Sequence, residues 1–178
     1  SSAGFTLVEV AIVTLLLGII AMLGLPTLNS AMVDSRLSAA VEEIVNALQY
    51  AQLTTMTSGR ETRVVIGAPQ DRIAVKQYKI NADLVGGGDE LVAADVENGT
   101  YEFMQYPLNK GTDYEIIFPN ESRFRGVDIT ASDFNVEAPV FFDTLGAPSK
   151  GGNVTLALGD RQMVVILDAL TGKVTVNK

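Results

Sequence analysis

Residues 5–25 read FTLVEVAIVTLLLGIIAMLGL, apolar around the whole turn of a helix, with Glu9 the single charge and Thr6 and Thr14 the other polar side chains. A helix of this length rises about 30 Å, the thickness of a bilayer's hydrocarbon core. Further along the pattern changes. Leu37, Ala40, Val41, Ile44, Val45, Leu48 and Ala51 recur at i, i+3, i+4, i+7, i+8, i+11 and i+14, one face of a helix. Asp34, Arg36, Glu42, Glu43, Asn46 and Gln49 fall off that stripe. Ser58-Gly59 supplies a stop, because glycine suits the left-handed position that follows a helix. The spacing predicts one helix over residues 5–58. Its first half needs lipid or other helices around it, and its second half needs one packed partner.

Beyond Gly59 the helical period gives way to short runs rich in β-branched and aromatic residues, set apart by turn formers. Strands are expected over 61–66, 72–80, 114–118, 138–142, 154–158, 162–167 and 173–176. Gly159-Asp160 reads as a tight hairpin and Leu170-Thr171-Gly172 as a further turn, which makes the C-terminal third a meander. The expectation is an α+β fold: a long N-terminal helix packed against an antiparallel, β-rich globular head at 59–178.

A chain of 178 residues has room for one core-bearing domain with an attached helix. A net charge of −8 argues against nucleic acid as a partner, since phosphate binding draws on clustered Lys and Arg. With no Cys and no His, disulfides, Cys or His nucleophiles, His bases and the usual haem ligands are excluded. No nucleophile elbow or Ser-x-x-Lys pattern is present, so no catalytic residue is assigned and the chain is not read as an enzyme. Gly86-Gly87-Gly88-Asp89-Glu90 lacks the Lys-Ser/Thr of a phosphate loop and reads as a surface loop. Asp89, Glu90, Asp95 and Glu97 fit no calcium-loop spacing, so no metal and no cofactor is expected.

Glu9 needs its own account, because an ionised carboxylate within a bilayer costs at least about 2.5 kcal/mol. Gly4-Phe5-Thr6-Leu7-Val8-Glu9 followed by an apolar run resembles the class III signal of type IV pilins and pseudopilins. The resemblance implies that a prepilin peptidase cuts between Gly4 and Phe5, with residues 1–4 a leader remnant. It also implies that Phe5 becomes an N-methylated terminus and that Glu9 pairs with the terminal amine of another subunit during assembly. An ammonium beside that carboxylate would compensate two charges that are otherwise expensive in lipid. Pro26 removes a backbone donor and clashes with the preceding turn, so a kink is expected there.

Three segments of the rest of the chain, Thr57-Ser58-Gly59-Arg60, Phe142-Asp143-Thr144-Leu145-Gly146-Ala147-Pro148 and Thr171-Gly172-Lys173-Val174-Thr175-Val176, are similar to the layout of GspH/FimT-like pseudopilins. That family implies a subunit of a type II secretion pseudopilus or a type IV pilus-like filament, supporting protein secretion. The filament is homo-oligomeric or mixed, and an inner-membrane assembly platform is a further partner. Before assembly the subunit is expected in the inner membrane as a single-pass protein, and afterwards in a periplasmic or extracellular filament. The alternatives are a minor pilin serving adhesion or DNA uptake, and a single-span anchored periplasmic binding module, for which Glu9 would be dispensable.

Overall fold

A computed structural model describes residues 6–67, 70–78 and 101–177, with the side chains of 21–30 left aside. The order is helix α1 (Leu7–Ser58), β1 (Thr62–Gly67), β2 (Arg72–Tyr78), β3 (Tyr101–Phe103), β4 (Glu115–Ile117), β5 (Asp128–Ser132), β6 (Val140–Phe142), β7 (Gly152–Leu158), β8 (Arg161–Leu167) and β9 (Val174–Asn177). Two 3-10 turns, Phe118–Asn120 and Ser122–Phe124, lie between β4 and β5. The chain divides into two compact units, Ser1–Ser35 and Arg36–Lys178, so α1 begins in the first and ends in the second.

In the second unit, the stripe read from the sequence is the face that α1 buries. Leu37, Ala40, Ile44 and Ala51 are fully buried, and Ala47 joins them. Gly59 follows at φ +66, and its N–H still reaches the Thr55 carbonyl at 2.9 Å, which ends the helix as its sequence predicts.

Two antiparallel sheets share one core with that face. In the first, the order is β3-β2-β1-β6, and β4 also pairs with β2. β3 takes the Lys76–Tyr78 end of β2 and β4 the Arg72–Ala74 end, so the two short strands extend one edge in succession. The second sheet has the order β5-β7-β8-β9, of which β7, β8 and β9 form the expected meander. Gly159, at φ +60, turns the hairpin that puts Leu158 opposite Arg161.

The sheets are tied at the β1–β5 corner, where the Ile66 N–H donates to the Phe134 carbonyl at 2.7 Å. Asp71 accepts from the Ile129 N–H at 3.2 Å from a left-handed φ of 46, a conformation that Asp tolerates better than most residues. Phe118, Phe124, Phe134 and Phe142 are all fully buried, so the core is closed by aromatic rings from the connecting segments as well as by the strands.

Strands β3 and β5 were not expected from the sequence. The expected run 72–80 is described as β2 over Arg72–Tyr78, and its last two positions lie outside the described residues, as does the glycine and acid segment 86–97.

Candidate functional site

Over residues 7–20 of the first unit, α1 shows apolar side chains to the surroundings on every side. The consecutive residues Leu15, Leu16 and Leu17 are 65%, 54% and 60% exposed, and neighbouring helical residues point about 100° apart, so no single face is covered. Glu9 is exposed in the first turn, where a carboxylate opposes the positive end of the helix dipole. Its N–H donates to the Thr6 carbonyl at 3.1 Å and to the Thr6 hydroxyl at 3.3 Å, so Thr6 satisfies part of the open helix end. The Thr14 hydroxyl donates back to the Val10 carbonyl at 2.9 Å, which keeps its polar group inside the helix.

Gly4 and Phe5, the expected cleavage and methylation positions, lie outside the described residues. Pro26 lies within α1, with its side chain outside the description, and the expected kink is therefore untested. Among the described residues no helix is long and apolar enough to cross a membrane. The apolar run whose side chains are described, 6–20, is shorter than the roughly 20 residues that a span needs. The single-pass crossing expected over 5–25 thus finds no support in these residues.

The second unit holds a feature that the sequence reading placed wrongly. Glu43, expected on the polar side of α1, is 5% exposed. The reason is geometric: Ala40, Glu43 and Ala47 stand at i, i+3 and i+7, on the buried face. Four contacts compensate its charge. The Tyr106 hydroxyl lies 3.3 Å from both carboxylate oxygens, the Tyr114 hydroxyl donates to Oε1 at 3.3 Å, and Arg123 Nη1 lies 3.2 Å from Oε2. Burial, reinforced by the Glu43 charge, holds the Tyr114 phenol protonated well above the ordinary tyrosine range. Burial works against the Arg123 charge, but the Tyr106 hydroxyl and Glu43 more than offset it, and the guanidinium pKa is raised.

The aromatic rings stack beside this group, Tyr106 edge-on to Tyr114 at 4.9 Å and Tyr50 tilted to Tyr114 at 5.6 Å between centroids. An open cavity of about 300 Å³ lies against them, with Leu53 and Leu108 at its rim.

A second feature joins two of the loops that the sequence singled out. The Asp143 carboxylate accepts from the N–H groups of Leu145 and Ala147, and the Asp168 carboxylate accepts from those of Leu170 and Thr171. Both loops close on Gln52 of α1. Its Nε2 donates to the Gly146 carbonyl at 2.8 Å, and a Cβ on Gly172 would stand 2.6 Å from the same nitrogen. Gly146 and Gly172, at φ +80 and +66, are therefore fixed both by conformation and by approach to the helix.

Both features lie in the second unit, whereas Gly4, Phe5, Glu9 and Pro26 belong to the first. The sequence signal for Glu43 was its helical position; Tyr106, Tyr114 and Arg123, 63 or more residues away, gave none. Among the described residues no group of three acids is placed to hold a metal ion.

The minor pseudopilin EpsH from the type 2 secretion system of Vibrio cholerae has a similar structure, with a TM-score of 0.55 over 80% of this chain and 96% of that one, at 14% identity. At this identity the likeness speaks for the fold, an α+β arrangement of a helix on antiparallel sheets. No curated protein sequence matches the chain. Residues 40–171 match the family model for type II transport protein GspH, a stretch that holds Glu43, Gln52, Tyr114, Asp143 and Asp168. With that match spanning well over half of its 178 residues, the chain belongs to the GspH family of type II transport proteins.

Proposed function

We propose that the chain is a structural subunit of a type II secretion pseudopilus, of the minor pseudopilin kind, which polymerises through the N-terminal part of α1. The observation that carries this reading is the sleeve of exposed apolar side chains over residues 7–20, interrupted by one carboxylate. Burying each Leu, Ile or Val there is worth about 1.5–3 kcal/mol, and nothing in the rest of the described unit does so. An apolar helix of this kind is stable among lipid tails or among its own copies. Type II secretion provides both in turn, with the inner membrane before assembly and the filament core afterwards.

In this scheme the prepilin peptidase cleaves between Gly4 and Phe5, and Phe5 carries the methylated amine. Glu9 of one subunit meets that amine on its neighbour as the assembly platform adds subunits to a homo-oligomeric or mixed filament. The pair compensates both charges where water is scarce, which an uncharged residue at position 9 cannot do. The second unit supplies the folded head and carries no proposed catalytic role.

Two measurements test the reading. Mass spectrometry of the N-terminal peptide from cells that assemble the system should find Phe5 as the terminus with one added methyl group. Glu9→Leu should remove the chain from sheared filaments while leaving the head folded. A terminus upstream of Phe5 together with normal incorporation of Glu9→Leu would overturn the proposal.

A further inference from the structure

We propose that the cavity beside Tyr50, Tyr106 and Tyr114 is a receptor for one basic side chain, a lysine or arginine presented by a neighbouring protein subunit. The identity of the neighbour rests on the filament reading above; the binding chemistry does not.

The cavity has the make-up of a site for a cation on an apolar stem. Three tyrosines line it, with centroids 4.9 Å and 5.6 Å apart around Tyr114, and the buried Glu43 is a further lining residue. Hydroxyl groups are not what these tyrosines offer a visitor. Those of Tyr106 and Tyr114 are engaged with Glu43, and that of Tyr50 donates to the Gln105 carbonyl at 3.4 Å. Tyr114 is 1% exposed, so the ring surface that remains belongs to the half-buried Tyr50 and Tyr106, and the negative face of an aromatic ring attracts ammonium and guanidinium groups.

The charge has the right sign. Arg123 lies 3.2 Å from Glu43 but is also 3.8 Å from Glu121, so the local group of two carboxylates and one guanidinium carries a net negative charge. The chain as a whole, at −8, adds a field that draws cations.

At the mouth the chemistry changes. Leu53 and Leu108, 58% and 82% exposed, present apolar surface where a side chain would enter. Lysine and arginine match this sequence of environments, with a methylene stem behind a charged head. A volume of about 300 Å³ admits one side chain and its immediate backbone, at the small end of ligand sites.

The test uses the full chain in detergent micelles with 13C-labelled tyrosine rings, since five Tyr and no Trp give five reporters. The probes are Nα-acetyl-lysine methylamide and its uncharged counterpart, Nα-acetyl-norleucine methylamide. The lysine probe should move the Tyr50, Tyr106 and Tyr114 signals and leave those of Tyr78 and Tyr101 in place, with the norleucine probe about tenfold weaker. Tyr50→Leu should abolish the response while unchanged Tyr78 and Tyr101 signals report an intact fold; should that variant fail to fold, the two probes on the unaltered chain still decide. Equal binding of both probes, or no movement of the three signals, would overturn the proposal. Neither result depends on filament assembly, so the role of Glu9 stands or falls separately.

Discussion

The two parts of α1 have opposite relations to their surroundings. Over residues 7–20 every large apolar side chain is about half exposed or more, whereas Leu37, Ala40, Ile44, Ala47 and Ala51 are fully buried by the same chain. Both parts are helical, so secondary structure does not separate them; the pattern does. An all-round apolar surface exceeds what one neighbouring sheet can cover, and a stripe does not. One part completes its packing within the subunit, and the other leaves its apolar side chains exposed, which the proposed function assigns to lipid and to other subunits.

The sharpest way to break this comparison is to truncate one leucine from each part. Leu48→Ala, at a position 1% exposed, should destabilise the second unit by about 2–5 kcal/mol in urea unfolding. Leu16→Ala should leave the same transition within about 0.5 kcal/mol. Equal effects would mean that the head depends on residues 7–20. Gly152→Val tests the core from the opposite direction. A Cβ there would stand 2.8 Å from the Phe134 ring and 2.7 Å from Asp133 Cβ, so overpacking should cost about 1–3 kcal/mol.

Smaller effects probe the buried acid and the loops. Glu43→Gln keeps the shape and removes the charge that faces Arg123, and should cost about 1–3 kcal/mol by the same unfolding assay. Gly172→Ala and Gly159→Ala share the cost of a left-handed φ, about 1–2 kcal/mol. Only Gly172 also presses on Gln52, so its variant should be the less stable of the two.

The pH dependence should be smaller still near neutrality. Burial and then the Glu43 charge raise the Tyr114 pKa above its ordinary value of 10.0, so the folded chain holds this proton more tightly than the unfolded chain. The resulting stability is complete below that value and is lost as pH rises beyond it. Burial and the Glu61 hydrogen bond act on Tyr101 with the same sign. Urea midpoints should therefore fall as pH rises beyond about 10, and less steeply in Tyr114→Phe.

Much of the fold could be read from residue order, because its elements obey simple periods. The α1 stripe, the Gly59 stop, the Gly159 hairpin and the closing meander each follow from local spacing. β5 did not, because Asp128–Ser132 is an edge strand with a bulge, and Ile129 is the one large apolar residue in it. β3 is three residues long and offered no alternation to count.

The family was legible from the loops around Asp143 and Gly172 and from the motif ending at Glu9, and the match over 40–171 agrees with it. The Glu43 group was hidden for another reason. A carboxylate at a buried helical position reads as an error in the stripe unless its tyrosine and arginine partners are known, and these come from remote loops. The roles of Gly4, Phe5, Glu9 and Pro26 remain with the resemblance and the proposal built on it.

The central claim is that residues 7–20 are the assembly surface and that the second unit is folded without them. Since the chain has no Cys, a single Leu16→Cys substitution offers the most direct measurement: oxidative cross-linking in cells that assemble the system, with Glu9 intact and with Glu9→Leu. The account predicts disulfide-linked subunits through position 16 when Glu9 is present and their loss in Glu9→Leu, with the head equally resistant to protease in both. Cross-linking that persists without Glu9, or a monomer under both conditions, would contradict it.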